Sequence, residues 1–313
     1  MKILVTGGAG FIGSHLCEAL LETDNQVVVL DDLSTGSHAN LAMILDKITF
    51  VDCKVENYDF DALKNIDIVV HLAAQASVPL SIAKFYESSK TNLLSSIKIL
   101  DFCVNQNIPL VYASSSAVYG GLPYGDDDVD ANDLISPYAA DKYALELYSK
   151  VLSVTSNLSS IGLRFFNVYG PRQDPSSPYS GVISIFAKRL YEQQDITVNG
   201  GSQTRDFVYV ADVALAIVEA INLALSAKIC ESVNVLTGRS VSIDWLADSL
   251  IEATKSSGKK IYNELAPGDP LESNGAVNKL SHLLGIRSSD MVPLEQGLAM
   301  TLDYLRDGAI KFE

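Results

Sequence analysis

The most constraining stretch lies at the amino end. Lys2-Ile-Leu-Val-Thr6 is a short run of strand-forming residues that breaks into Gly7-Gly8-Ala9-Gly10-Phe11-Ile12-Gly13. An amphipathic stretch follows from Phe11 to about Leu21, and a second apolar run, Gln26-Val-Val-Val-Leu30, ends in Asp31-Asp32. The pattern is strand, glycine turn, helix, strand, acid. Gly7 permits a tight turn, Gly10 lets backbone approach a pyrophosphate, and Gly13 lets the helix pack on the sheet. Phe11 and Ile12 lie between the last two glycines, where a helix N-terminus offers free N–H groups and a positive dipole to an anion. Asp31, with Asp32 beside it, follows Gly13 at about the spacing of the carboxylate that accepts ribose hydroxyls. An acid there repels a 2′-phosphate. The stretch predicts a bound dinucleotide, NAD rather than NADP. Its spacing is Gly-x-x-Gly-x-x-Gly, not Gly-x-Gly-x-x-Gly, so the flanking strand, helix and acid carry the reading.

The alternation continues. A short helix is predicted over Ala39 to Asp46, and Ile48-Thr-Phe-Val51 is a third strand ending at Asp52-Cys53, where an acid can accept from an adenine amino group. Ile66 to Leu72 is a fourth strand, closed by Ala73-Ala74, whose small side chains admit a cofactor. Ser81 to about Asn105 has helical periodicity, Leu110 to Ala113 is a fifth strand running into Ser114-Ser115-Ser116, Tyr138 to about Leu152 is helical, and Ser160 to Phe165 is a sixth strand. Strands alternating with helices over this length predict an α/β fold with a doubly wound parallel (Rossmann) sheet, whose ligands bind outside the carboxyl ends of the strands. The expected division is a cofactor domain over 1–166, with return segments at about 207–237. A smaller C-terminal lobe is expected from 167–206 and 238–313. Phe207 to Val210 and the helix after it are expected to rejoin the main sheet, and Ser232 to Val235 to add a strand.

Composition excludes several function classes. The 313 residues are 48% hydrophobic and 19% charged, with a formal net charge of −15. A chain so acidic lacks the basic footprint that nucleic acid or an anionic membrane demands. No apolar run approaches the roughly 18 residues of a membrane span. The widely spaced Cys17, Cys53, Cys103 and Cys230 read as reduced thiols of a cytoplasmic protein. His15, His38, His71 and His282 show no metal-ligand spacing, so no metal is expected.

Tyr138-Ala-Ala-Asp-Lys142 places a phenol and an ammonium four residues apart, on one helix face. A phenol with its ordinary pKa of about 10 is a poor base at neutral pH. A neighbouring ammonium and a positive nicotinamide ring favour the phenolate. The pair therefore suits proton removal from an alcohol whose carbon loses hydride. Ser114–Ser116 offer a hydroxyl to the same oxygen.

With these residues in view, the chain resembles the extended short-chain dehydrogenase/reductases of the nucleotide-sugar epimerase/dehydratase family. The resemblance rests on Thr6-Gly-Gly-Ala-Gly-Phe-Ile-Gly13, His71-Leu-Ala-Ala74, Ser114-Ser-Ser-Ala-Val-Tyr-Gly120 and Ser136-Pro-Tyr-Ala-Ala-Asp-Lys142. Leu163-Arg-Phe-Phe-Asn-Val-Tyr-Gly-Pro-Arg172 and Thr204-Arg-Asp-Phe207 extend it. Within the family, Ser77-Val-Pro-Leu-Ser-Ile82 and Asn167 to Pro175 are most similar to bacterial UDP-N-acetylglucosamine 4-epimerases. The resemblance implies that Tyr138 is the base, that Lys142 binds nicotinamide ribose and tunes Tyr138, and that Ser115 is the catalytic serine. It places Asp31 on the adenosine ribose and Asp52 on the adenine, with Cys53, Leu72, Ala73, Ala74, Asn92 and Phe165 beside the cofactor. Asn167 and Arg205 would bind the diphosphate, Thr197 and Asn199 would lie by the uridine, and Ser77, Ser115, Ser116, Val182 and Ser273 would border the substrate. The implied reaction oxidises C4 of a UDP-sugar, turns the 4-keto sugar over, and re-reduces it from the other face.

Ser116 and Ala117 stand where related dehydratases carry an Asp-Glu pair, which disfavours dehydration. Ser273 replaces a bulky residue of strict UDP-galactose epimerases and leaves room for an N-acetyl group. Ala266 and Leu271 replace two arginines of the family pattern, and loss of one arginine–phosphate contact costs about 1.5–3 kcal/mol. UDP-glucose or UDP-glucuronate is the alternative substrate, and a catalytically silent NAD-binding sensor the alternative of another class. Asp126-Asp-Asp-Val-Asp-Ala-Asn-Asp133 lacks the Gly and Glu of a calcium loop and reads as a solvated acidic loop. The resemblance also implies a homodimer, formed by packing the Ser81–Asn105 and Tyr138 helices into a four-helix bundle.

Overall fold

The computed structural model describes residues 1–129, 132–176, 180–265 and 270–309, with side chains described as far as residue 307. The first half supplies β1 (Lys2–Thr6), β2 (Gln26–Asp31), β3 (Thr49–Asp52), β4 (Ile68–His71), β5 (Leu110–Ser115) and β6 (Ser160–Phe165). Between them run α1 (Phe11–Leu21), α2 (Val78–Ala83), α3 (Phe85–Ser89), α4 (Ser95–Gln106) and α5 (Pro137–Ser156). Next come β7 (Asn167–Tyr169), α6 (Val182–Tyr191), β8 (Ile196–Asn199), β9 (Thr204–Tyr209), α7 (Val210–Ser226) and β10 (Cys230–Val235). The described chain closes with β11 (Ser240–Ser242), α8 (Ile243–Thr254), β12 (Lys260–Asn263), α9 (Asn278–Leu284) and α10 (Leu294–Ala309).

Seven strands form one parallel sheet in the order β10-β6-β5-β4-β1-β2-β3. Both faces are covered, so inner strands such as β1, β2 and β4 are apolar on both sides rather than alternating with polar residues. Ile3, Val5, Val27 and Val29 pack against α1 and α7. Leu4, Val28, Leu30 and Val69 pack against α4 and Leu145 of α5. Burying each such side chain stabilises the fold by about 1.5–3 kcal/mol before entropy is counted. The strand order reverses between β1 and β4, which opens a crevice at their carboxyl ends.

A second core, with Phe186, Leu190, Val198, Phe207, Leu246 and Leu298 among its members, joins α6, α8 and α10 into a smaller lobe. Here the structure corrects the sequence reading. β9 does not rejoin the main sheet. It pairs with β7 and β11 in a separate three-stranded sheet, and β8 pairs with β12 in a two-stranded one. The return to the main sheet is made by α7, which packs on α1, and by β10, which pairs with β6. Phe207 and Tyr209 point into the lobe core while Val208 points into the main core, so one strand serves two cores and its composition does not reveal which sheet it joins.

The helix expected over Ser81–Asn105 is broken. Lys84, with φ −131° and ψ 58°, separates α2 from α3, and a π-helical turn, Lys90–Leu94, precedes α4. The helix expected over Ala39–Asp46 is instead two 3₁₀ turns, His38–Leu41 and Leu45–Lys47. Ile82, Phe85 and Ile97 of the first segment are exposed, so its apolar spacing does not mark one face buried within the chain, and side-chain-to-backbone hydrogen bonds compete with regular helix in both segments. Ser37 and Asn40 tie the first 3₁₀ turn to its own backbone and to the Ala9 carbonyl, and Asn92 does the same at the π turn.

Candidate active site

The crevice between β1 and β4 opens into a cavity of about 560 Å³. Its floor is the glycine turn. A Cβ on Gly7 (φ +72°) would stand 2.6 Å from the Ala73 nitrogen, and one on Gly13 would stand 2.1 Å from the Gly7 carbonyl oxygen. Both positions therefore require glycine. No side chain caps α1 and no acid lies in its first turn, so the N–H groups of Phe11, Ile12 and Gly13 face the cavity unopposed. Asp31 is buried and accepts from Ala9 N at 2.9 Å and Leu33 N at 2.8 Å, one bond to each carboxylate oxygen. Each oxygen keeps one acceptor position, which suits a pair of ribose hydroxyls. Burial raises the Asp31 pKa, and the two N–H bonds oppose that rise. These features fit a bound dinucleotide.

Asp32, Cys53, Leu72, Ala73, Ala74 and Phe165 also line the cavity. Four expected cofactor residues, Asp52, Asn92, Tyr138 and Lys142, are not part of its lining. Asp52 is exposed, paired in register with Asp31 at the sheet edge but off the cavity wall. Asn92 is buried, and its amide is committed to the chain itself: Oδ1 accepts from Gln75 N at 2.7 Å and Nδ2 donates to Gln75 O at 3.0 Å. Asn92 therefore shapes the wall that Gln75 belongs to.

The expected acid–base residues gather at the carboxyl end of β5. Ser136 caps α5 by accepting from Ala139 N, and Pro137 pre-sets its first turn. This places Tyr138 at the helix entrance, where its N–H donates to the buried Ser81 hydroxyl. Burial raises the Tyr138 pKa, and a hydrogen bond from Ser115 lowers it. Lys142 Nζ lies 5.9 Å from the centre of the Tyr138 ring and donates to the Ala113 carbonyl at 2.7 Å. Burial brings the lysine down to about 8, with the charge of Asp141 working the other way. Lys142 thus remains mostly an ammonium at neutral pH. Ser115 also accepts from Ala117 N at 3.1 Å, which fixes its hydroxyl at the start of the Ser116–Tyr119 turn.

The expected substrate residues are spread over several elements. Asn167 Nδ2 donates to the Asp206 carbonyl at 2.9 Å and lies 3.5 Å from Ser273 Oγ, while Asp206 N donates to the Ser273 carbonyl. β9 thus gathers Asn167, Arg205 and Ser273. Arg205 is buried and donates to the Thr204 carbonyl at 2.7 Å. Thr197 and Asn199 stand on the exposed face of β8, and Gln203 holds the Asn199 carbonyl. Ser77 caps α2, and Val182 opens α6. Leu271 is exposed, its carbonyl accepting from Thr204 N, while Ala266 lies outside the described residues.

Sequence reasoning missed a buried polar chain behind this site. Ser114 Oγ donates to Glu146 at 2.5 Å, and Arg164 donates to both Glu146 oxygens, at 2.9 and 2.6 Å. Its other nitrogen donates to Tyr119 OH at 2.8 Å, and that hydroxyl donates to Asn234 Oδ1 at 2.7 Å. Two signals were available: Glu146 is one helical turn beyond Lys142, and Arg164 interrupts an otherwise apolar strand. The acidic loop is also less solvated than its composition suggests. Asp127 is buried and accepts from Asn234 N at 2.8 Å. Asp126, Asp127 and Asp128 bring carboxylate oxygens within 4.8 Å of one another, and Lys279 already supplies a cation there.

Comparison with known proteins agrees with this geometry. The model of the NAD dependent epimerase/dehydratase family matches residues 3–235. The UDP-glucose 4-epimerase of Mycolicibacterium smegmatis is 33% identical over 317 residues, covering 98% of this chain and 99% of its own. Among solved structures, a UDP-N-acetylglucosamine 4-epimerase from Methanobrevibacter ruminantium, in complex with UDP-N-acetylmuramic acid, superposes with a TM-score of 0.91 at 34% identity, covering 98% of both chains. A UDP-glucuronic acid 4-epimerase from Bacillus cereus, in complex with UDP-glucuronic acid and NAD, gives 0.88 at 31% identity, covering 98% of this chain and 99% of the other. The chain belongs to the NAD dependent epimerase/dehydratase family and is, within it, an NAD-dependent nucleotide-sugar 4-epimerase of the extended short-chain dehydrogenase/reductase kind. Among the described residues no helix is long and apolar enough to cross a membrane.

Proposed function

We propose that this chain interconverts UDP-GlcNAc and UDP-GalNAc. The observation that carries the choice of sugar is Ser273, a small residue beside Asn167 at the edge of β9, at the position where, by the family resemblance, strict UDP-galactose epimerases carry a bulky residue that leaves no room for an N-acetyl group. The similarity to a UDP-N-acetylglucosamine 4-epimerase supports it. In this reading the glycine turn with Phe11 and Ile12 holds the pyrophosphate of NAD, and Asp31 holds its ribose. Asn167 and Arg205 bind the UDP diphosphate, Thr197 and Asn199 border the uridine, and Ser77, Ser116, Val182 and Ser273 border the sugar. Bound NAD supplies a reversible hydride acceptor. Tyr138 takes and returns the 4-hydroxyl proton, Ser115 hydrogen-bonds the same oxygen, and Lys142 holds the phenolate by its charge.

The test is proton NMR of the purified protein with UDP-GlcNAc and no added NAD. Appearance of UDP-GalNAc supports the substrate and a retained cofactor together. Conversion of UDP-glucose or UDP-glucuronate alone discards the substrate while keeping the chemistry. We further propose a homodimer. α5 exposes Leu147, Tyr148, Val151 and Val154 at helical spacing, and the facing segment exposes Phe85, Tyr86, Leu94 and Ile97. The four free thiols suit a reducing compartment such as the cytoplasm.

A further inference from the structure

Ser114 and Ser115 end the same strand and serve opposite sides. Ser115 reaches Tyr138, and Ser114 reaches the buried Arg164–Glu146 pair on the other side. That pair is tied to α5 through Glu146 and to β6 through Arg164. From it a single hydroxyl, that of Tyr119, passes the chain to Asn234 on β10. Asn234 Nδ2 then holds two carbonyls at once, Gly125 at 3.0 Å and Ala276 at 3.2 Å. Gly125 N donates to Asn274 O, and Ala276 N donates to Gly125 O. The ladder therefore ends on segment 274–276, next to Ser273. Every member of this chain from Ser114 to Asn234 is at most 5% exposed. In so dry a setting each bond is stiff, and a broken one leaves its partners unsatisfied.

We propose that Tyr119 is a positioning residue for the epimerisation. Its hydroxyl joins the framework of the acid–base group to the segment that closes the sugar side, so that a 4-keto sugar turns over without escaping. The proposal rests on the sugar site placed above, and Tyr138→Phe tests that placement separately. If Tyr138→Phe keeps full activity, the placement fails. If it loses activity while the Tyr119 variant behaves as wild type, only the present proposal fails.

The experiment uses full-length protein with its retained cofactor and UDP-GlcNAc, or whichever UDP-sugar proves active. It follows epimer formation, the absorbance of reduced nicotinamide, and free 4-keto sugar together. Release of the ketone leaves its two electrons on the nicotinamide, so one reduced cofactor accumulates per ketone lost. For Tyr119→Phe we expect turnover that decays with time, matched one-to-one by reduced cofactor, with at least a tenfold higher ratio of loss to epimerisation than wild type. Asn234→Ser cannot reach both carbonyls and should show the same leak. It serves as the second variant where Tyr119→Phe folds poorly. Ser114→Ala, at the other end, should lower kcat without the leak. A lower melting temperature with linear turnover and no accumulation in either Tyr119→Phe or Asn234→Ser would overturn the proposal, as would a leak of equal size in Ser114→Ala.

Discussion

At the residue scale, burial decides which titratable groups do chemistry. Tyr138 is a buried phenol whose pKa burial raises, so to act as the proposed base it needs added positive charge and the Ser115 bond. We predict that Tyr138→Phe lowers kcat by about 10²–10⁴-fold, the usual worth of a positioned acid–base group, with little change in KM for the UDP-sugar. Steady-state assay of the two proteins checks this. His71 shows the same physics used for structure. Ser96 Oγ donates to the Asn92 carbonyl at 2.6 Å, so His71 Nε2–H donates to Ser96 and Nδ1 accepts from Thr6. Burial first, and the charge of Lys142 second, bring this histidine from 6.5 down to about 3. Between those values the unfolded chain binds a proton that the folded chain refuses. Its contribution to stability is therefore complete above pH 6.5 and is lost as pH falls, by about 1.4 kcal/mol per unit. Urea unfolding of wild type should lose about 2 kcal/mol more between pH 7 and pH 5 than that of His71→Gln. Equal losses would contradict the assignment. The motif containing His71 was legible in the sequence, but its partners Thr6 and Ser96 were not, because they come from β1 and α4.

At the element scale, the β1–turn–α1–β2 unit was readable almost in full, since local sterics fix it. The glycines mark the places where backbone meets backbone. We predict that Gly13→Ala, whose Cβ would stand 2.1 Å from the Gly7 carbonyl, keeps helix content by circular dichroism but purifies without nucleotide. Acid release and chromatography of the bound cofactor would show its retention or loss. The α2–α4 region was readable only as apolar periodicity. Its breaks arise from bonds to distant partners: Asn92 reaches Gln75, Ser89 reaches Asp141 at 3.0 Å, and Ser81 reaches the Tyr138 N–H. No window of local sequence contains both members of such a pair. The strand β9 is the same lesson in a sheet, because its two faces belong to two different cores.

At the scale of the whole molecule, one parallel sheet places the crevice at the β1–β4 reversal, and β9 gathers Asn167, Arg205 and Ser273 in the smaller lobe. The exposed stripe on α5 remains to be covered. Val151 is 55% and Val154 88% exposed, an apolar surface that a soluble monomer rarely carries in contiguous form. We predict that wild type has a dimer mass by light scattering, and that Leu147→Glu with Val151→Glu halves that mass, since each buried, unpaired carboxylate opposes the interface. A wild-type monomer would remove the proposal.

The sequence by itself determined the class of fold, the glycine turn and the gathering of Ser115, Tyr138 and Lys142 at the end of β5. These depend on local backbone sterics, on helical spacing, and on motifs whose members are close in the chain. Only the tertiary structure decided that Asp52 is exposed at the sheet edge, that Asn92 serves Gln75, and that β9 leaves the main sheet. It also decided that Glu146 and Arg164 form a buried frame reaching Ser114 and Asn234. The reason is that burying a polar group demands a partner, and the fold draws that partner from wherever the chain happens to pass.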